Sequence, residues 1–236
     1  MVILPHRRKS FRQVASGGGG GDPNFADVSV LLHLNGTNGG TAFLDSSLAA
    51  RVVTPSGNIV TSTAQSKFGG SSAAFDGSGD YLTVGANAAF DFALGAVTIE
   101  WWYRFSTVSG YHYFYDIGTN GTYMRIQSGS TLSAGYGGSN LMSQSIPQLS
   151  TGIWYHMAYV RTSGGDHTLY INGSSTVTTT DPVHSGGSSS ASLRIGEYGG
   201  GTGYGLNGWM NDFRITKGVA RYTTTFTPPT AAFPDS

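Results

Sequence analysis

The sequence predicts an all-β protein: a sandwich or jelly roll of two antiparallel sheets, with an extended N-terminal arm. Three observations lead there. Short segments that alternate apolar and polar residues recur along the chain, roughly a dozen or more of them. Turn pairs such as Asn35-Gly36, Asn172-Gly173 and Asn207-Gly208 separate them. Glycine supplies 36 of 236 residues, and no long segment keeps a helical apolar period.

Residues 1–24 stand apart. The stretch MVILPHRRKSFRQVAS is basic, and Gly17 to Gly21 form a flexible tether. Arg7, Arg8, Lys9, Phe11 and Arg12 would let this arm anchor on a partner; without one it reads as a disordered tail. The body, residues 25–236, opens with a strand over 27–34. Short strands are expected over 41–45 and 51–54, with a turn at Pro55 to Asn58. Residues 66–84 read as strand, turn and strand around Asp76-Gly77-Ser78-Gly79.

Val97 to Phe105 carries the strongest strand signal. Val97, Ile99, Trp101, Tyr103 and Phe105 share one face; Thr98, Glu100, Trp102 and Arg104 share the other. Aromatic residues on both faces imply a sheet covered on both sides over part of its length. Residues 111–117 and 122–127 pair next, with Tyr111, Tyr113 and Tyr115 on one face. A second hairpin follows over 131–136 and 140–146. Strands over 154–162, 167–171 and 175–179 come after it, the last two joined at Asn172-Gly173. Residues 192–196 form a short strand, and 197–205 a glycine-rich loop with Tyr198 and Tyr204. The closing strand places Trp209, Asn211, Phe213 and Ile215 on one side and Met210, Asp212, Arg214 and Thr216 on the other. Tyr222 and Phe226 then punctuate a threonine-rich tail that ends in prolines.

Composition excludes several classes. The net charge is zero and 11% of residues are charged, which argues against a nucleic-acid binder. There are no cysteines, hence neither disulfides nor zinc–thiolate sites. No stretch approaches the ~20 apolar residues that span a bilayer. The N-terminus lacks the apolar core of a signal peptide, so synthesis in a host cytoplasm is expected, and the three Asn-Gly-Ser/Thr sites read as turns.

Phe68-Gly-Gly-Ser-Ser, then Ala74-Phe-Asp-Gly-Ser-Gly-Asp-Tyr-Leu82, resemble the signature of laminin-G-like, concanavalin A-like jelly rolls. Val97-Thr-Ile-Glu-Trp-Trp102, Trp154-Tyr-His-Met-Ala-Tyr-Val-Arg161, Leu169-Tyr-Ile-Asn-Gly173 and Gly208-Trp-Met-Asn-Asp-Phe-Arg-Ile215 are similar to its later strands, in the same order, over roughly residues 25–230. The opening strand and the tail Arg214 to Pro229 resemble copies of this domain in structural proteins of tailed bacteriophages. The resemblance implies a virion protein, a capsid decoration or a fibre or tail-appendage subunit.

Candidate sites follow. Glucanases of this fold set paired carboxylates two to four residues apart on one strand. Here Trp102 and Arg104 follow Glu100, and Asp116 and Glu197 are isolated, so a non-catalytic domain is expected. One structural Ca²⁺ is implied by the resemblance at Asp212, with Asp76 or Asp80; the same carboxylates could equally accept backbone amides. Tyr111, Tyr113, Tyr136, Tyr198 and Tyr204 are candidate stacking platforms for carbohydrate, or ordinary sheet packing. His156 reads as a buried, hydrogen-bonded histidine. The expected function is a non-enzymatic virion surface protein, bound to other virion proteins through residues 1–24 and displaying a lectin-like domain to cell-surface glycans, without specific nucleic-acid or membrane partners and compatible with a homo-oligomer. A free-standing carbohydrate-binding module is the alternative, and a divergent glycosidase the third choice.

Overall fold

A computed structural model describes residues 21–118, 121–136, 139–183, 187–201 and 203–236. The anchoring residues Arg7, Arg8, Lys9, Phe11 and Arg12 lie outside them. The strands are β1 (Val28–Leu32), β2 (Val53–Ser56), β3 (Val60–Ser62), β4 (Ser72–Asp76), β5 (Tyr81–Val84), β6 (Val97–Phe105), β7 (Tyr111–Asp116) and β8 (Thr122–Gln127). They continue with β9 (Thr131–Tyr136), β10 (Ser139–Ser145), β11 (Trp154–Arg161), β12 (Asp166–Ile171), β13 (Ser174–Thr180), β14 (Leu193–Ile195) and β15 (Asn207–Lys217).

Two antiparallel sheets form. The first runs β13-β12-β11-β6-β15-β4-β3, with β1 also paired to β15; the second runs β10-β9-β8-β7-β14-β5-β2. Their inner faces make one core. Trp101 sits near its centre, with ring centroids 5.0 Å from Phe114, 5.5 Å from Tyr115 and 6.1 Å from Phe213. β6 alternates as its sequence indicates: Ile99, Trp101, Tyr103 and Phe105 are buried in this core, while Glu100, Trp102 and Arg104 face outward.

Three local expectations are corrected. On the closing strand the register with β6 slips between Asn211 and Arg214, and Asp212 sits at φ 50°. This bulge inserts a residue and inverts the alternation beyond it. Met210, Phe213 and Ile215 therefore all enter the core, and Trp209, Asn211 and Arg214 lie on the outer face. A second irregularity lies between Tyr113 and Tyr115, so Tyr115 turns inward to join the core and leaves Tyr111 and Tyr113 outside. Residues 41–45 form no strand. The Asp45 carboxylate accepts from Leu31 N at 2.9 Å, Ser47 N at 3.0 Å and Arg51 N at 2.9 Å, capping the edge of β1 in place of backbone.

The outer face of the first sheet is covered at one end by the tail. Tyr222 and Phe226 stack with centroids 3.5 Å apart and pack on Tyr170, and Phe233 closes over Val28 and Leu31. Beneath them Arg214 donates to Glu100 Oε1 through Nε (3.0 Å) and Nη2 (2.7 Å), and the Tyr222 hydroxyl donates to Oε2 at 2.7 Å. His156 Nε2 lies 3.2 Å from the same oxygen, fully buried as its sequence position suggests. Asp22 accepts from Arg214 (2.9 Å) and Arg221 (2.6 Å), and its N–H donates to the Ser236 carbonyl at 2.7 Å. Asp22 is thus tied into the folded body.

Burial by itself would raise the Glu100 carboxyl, but Arg214, His156 and Arg221 outweigh it and hold it well below the usual range. The sign follows. A carboxylate depressed by folding stabilises the native state above its unfolded value and loses that contribution as pH falls through its folded one. Glu100→Gln should cost about 3–5 kcal/mol at neutral pH, because two guanidinium groups stay buried beside a lost charge. Urea denaturation across pH 7 to about 2 should show a flatter acid decline for the variant; parallel profiles would refute the assignment.

Candidate functional site

The outer face of the second sheet is where aromatic residues gather. Outward positions on β7 are Tyr111 and Tyr113, and on β8 Tyr123 and Arg125; Met124 and Ile126 alternate with the latter pair into the core. Antiparallel register sets Tyr113 beside Arg125 and Asp116 beside Tyr123. The loop from Gly196 to Leu206 then folds over this surface. Leu206 N–H donates to Gly196 O at 2.8 Å, closing its neck. Asp116 Oδ2 accepts from Gly199 N at 2.8 Å, and Tyr113 N–H donates to Tyr204 O at 3.2 Å. Gly196 stands at φ 106°, and a Cβ there would press within 2.4 Å of the Phe75 ring, so the loop can leave β14 this way only with glycine.

Four of the five tyrosines expected to bind carbohydrate meet here. Tyr113 lies 4.9 Å from Tyr198 and 5.7 Å from Tyr204, and Tyr204 lies 5.5 Å from Tyr111 and 5.8 Å from Tyr198. Tyr123, not singled out from sequence, joins at 5.5 Å from Tyr113. Arg125 underlies the group. Its guanidinium sits 5.1–5.7 Å from the Tyr111, Tyr113 and Tyr123 rings. It donates to the Tyr113 hydroxyl at 2.6 Å and to Asn140 Oδ1 at 3.2 Å. The Tyr123 hydroxyl donates to the same Asn140 oxygen at 2.6 Å. Burial pushes the Tyr123 phenol up to about 12 against the opposing pull of Arg125, so it stays a neutral donor.

Tyr136 is the exception. It shares the inward parity of Leu132 and Ala134, and its hydroxyl lies 3.1 Å from His167 Nδ1. It belongs to a polar cluster with Tyr159 and His167, not to the outer platform.

Beside the platform lies a polar cavity of about 380 Å³, lined by Thr83, Asp116, Ser188, Ser190, Ser192, Arg194 and Gly199, among others. Burial raises the Asp116 carboxyl, and the Gly199 N–H and Arg194 partly offset this. Among the described residues, Asp116 is the single carboxylate on the cavity wall. Glu197 turns toward Arg194, 3.8 Å away, and Glu100 is sealed in the opposite sheet. Tyr113 and Tyr123 are buried beneath the loop, and Tyr111, Tyr198 and Tyr204 are half-buried above them. These three phenol rings, next to a wall of hydroxyls, a carboxylate and a guanidinium, can contact a sugar ring and exchange hydrogen bonds with its hydroxyls.

A laminin G family profile, described as the concanavalin A-like lectin/glucanases superfamily, matches residues 76–221, more than half of the chain. The chain belongs to this superfamily. Membership accounts for the two-sheet topology and the order of the strand signatures. No curated protein matched the sequence. Among solved structures, the binding domain of botulinum neurotoxin DC in complex with rat synaptotagmin II is similar at 16% identity and TM-score 0.63, covering 84% of this chain and 50% of that one. The serotype D binding domain is similar at 17% identity and TM-score 0.61, covering 85% and 51%. A type C toxin structure, whose cell entry depends on interaction with two ganglioside molecules, gives 14% and 0.59, covering 84% and 50%. The chain spans about half the length of these structures, and at such identity they share its fold.

The carboxylates proposed for calcium have other duties. Asp212 Oδ1 lies 2.7 Å from His33 Nδ1, and Oδ2 accepts from Phe233 N at 3.2 Å. Asp80 accepts from Asn58 N at 2.8 Å and Asp76 N at 3.0 Å, while Asp76 accepts from Ser78 N at 2.8 Å. Calcium needs six to eight oxygen ligands. The groups aimed at Asp212 are N–H donors, and among the described residues no three metal-ligating side chains cluster. These residues do not fit a calcium shell. Chelation should leave the thermal midpoint unchanged, whereas Asp212→Ala should cost about 1–3 kcal/mol by stranding the Phe233 amide and the His33 ring; calorimetry with and without EDTA checks both.

Proposed function

We propose that the chain is a non-enzymatic glycan-binding domain whose platform is formed by the half-buried rings of Tyr111, Tyr198 and Tyr204, held from beneath by the buried Tyr113 and Tyr123. The convergence of these rings from β7, β8 and the 196–206 loop around Arg125 carries the reading. Tyr113 and Tyr123 are buried where the loop packs on the sheet, while Tyr111, Tyr198 and Tyr204 keep part of their surface open above them. The lectin-like fold family supports the reading. So does the ganglioside interaction of the type C toxin among its structural neighbours. The non-enzymatic reading is supported by the cavity wall, which carries one carboxylate among the described residues where glycosidases of either stereochemistry typically use two.

The setting we propose is the surface of a tailed-phage virion, as a capsid decoration or an appendage subunit held through residues 1–21. The similarity of the opening strand and the 214–229 tail to phage structural proteins supports this. The geometry also suits display: Asp22 sits on the outer face of the first sheet, under the tail, and the tyrosine platform lies on the outer face of the second. An arm leaving from one side would orient the platform outward.

Two experiments test these readings. On a glycan array and in titration calorimetry, Tyr204→Ala and Tyr111→Ala should each weaken a bound glycan about tenfold or more, as expected for central aromatic contacts. Unaltered affinity would remove the platform. Virions stripped of the protein should rebind the full-length chain and not a chain beginning at Gly21; equal rebinding would move the interface onto the sandwich, and no rebinding of either would sink the virion setting.

A further inference from the structure

The tail covers only one end of the first sheet's outer face. At the other end a row of half-buried side chains crosses five strands. Antiparallel register aligns Val60 with Ala74, Ala74 with Trp209, Trp209 with Arg104 and Arg104 with Trp154. All five are half-buried, while the chain's other two tryptophans, Trp101 and Trp102, are buried. The Arg104 guanidinium lies 5.2 Å from the Trp209 ring, and its Nε donates to Gly152 O at 3.1 Å. Just beyond, the Lys67 ammonium rests 4.0 Å from the Trp102 ring.

The cations of this face, like Arg125 on the tyrosine face, rest on rings and not on carboxylates. Arg51, Arg194, Arg214 and Arg221 all pair with carboxylates. Arg104 and Lys67 pair with none among the described residues; each is instead stacked on an aromatic ring, an arrangement that leaves the cation open to an incoming anion. Trp154 and Trp209 are two strand spacings apart, about 10 Å, with Arg104 between them. A ligand that fits must offer flat apolar faces at intervals, with negative charge between.

We propose that the Trp154–Arg104–Trp209 row is a second binding site, separate from the tyrosine platform, for an anionic polysaccharide. Sugar rings lie on the two indoles, and a carboxylate or sulfate meets Arg104, with Lys67 flanking. A peptide strand would need a sheet edge for its backbone, and this row crosses the sheet's middle. A single-stranded nucleic acid also stacks on aromatic rings, but it requires a basic groove along its backbone, where this face has two cations.

The test uses the full chain and defined polymers: polygalacturonate, neutral dextran, polyglutamate and oligo-dT. Polygalacturonate should bind and perturb tryptophan fluorescence, with dextran inert and polyglutamate and oligo-dT at least about tenfold weaker. Arg104→Gln and Trp209→Ala should each weaken binding about tenfold or more, the size of a central interface contact. Arg104→Lys, which keeps the charge, should retain part of it, and circular dichroism of each variant checks that it folds. Tyr204→Ala should change nothing here, which keeps this site's failure distinct from that of the tyrosine platform. Absent polygalacturonate binding, binding indifferent to Arg104→Gln and Trp209→Ala, or equal binding of polyglutamate or oligo-dT would overturn the proposal.

Discussion

The bulge at Asn211–Asp212 is the constraint on which the arrangement depends. β15 is the longest strand, and β6 flanks it along one side. Its other side is shared: Asn207 to Met210 pair with β4, and Phe213 to Thr216 pair with β1. The bulge marks the handover. A left-handed backbone at a non-glycine residue costs on the order of 1–3 kcal/mol. Local side chains offset it. Asn211 Oδ1 accepts from Lys67 N (3.0 Å) and Phe68 N (2.9 Å), its amide donates to His33 O at 2.6 Å, and Asp212 meets His33 and Phe233. Because the bulge inverts the alternation, Arg214 emerges on the same face as Glu100 and not in the core.

That inversion explains why one face of the first sheet is polar and yet buried. Glu100, Arg214, Asp22, Arg221 and Tyr222 form a charged layer that only a covering segment can keep dry, and the tail from residue 218 provides the cover. Breaking such a layer costs more than making it yields, so its value lies in fixing where the tail and Asp22 sit. The loop of residues 196–206 partly covers the tyrosine face, leaving Tyr111, Tyr198 and Tyr204 half-buried, and the tryptophan face is half-buried too. Both place a guanidinium against aromatic rings, which holds the cation without neutralising it.

The two sites differ in how they could be read from sequence. Tyr123 and Arg125 alternate with Met124 and Ile126, a pattern that already marks them as outward-facing, and Tyr111 and Tyr113 do the same on β7. Tyr198 and Tyr204 sit in a glycine-rich loop whose destination no local pattern specifies. Closure of that loop depends on Gly196 clearing Phe75 and on Asp116 capturing Gly199, contacts between segments far apart in the chain. Tyr136 shares the parity of Leu132 and Ala134, which turns its ring inward toward His167.

By itself the sequence determined the strands, the turns between most of them and the fold family, because these follow from period-two alternation and from backbone preferences of neighbouring residues. Val97 to Phe105 reads the same in both, and Asn172-Gly173 makes the hairpin its residues demand, with φ of 50° and 79°. Tertiary structure alone decided the phase of β15 and β7, the partner of Glu100 and the meeting of the tyrosines. A bulge is a one-residue backbone choice made by long-range hydrogen bonds, and at Asp212 no glycine announces it. Strand order likewise arises from how two sheets bury a shared core, and it is strand order that sets Trp154, Arg104 and Trp209 side by side.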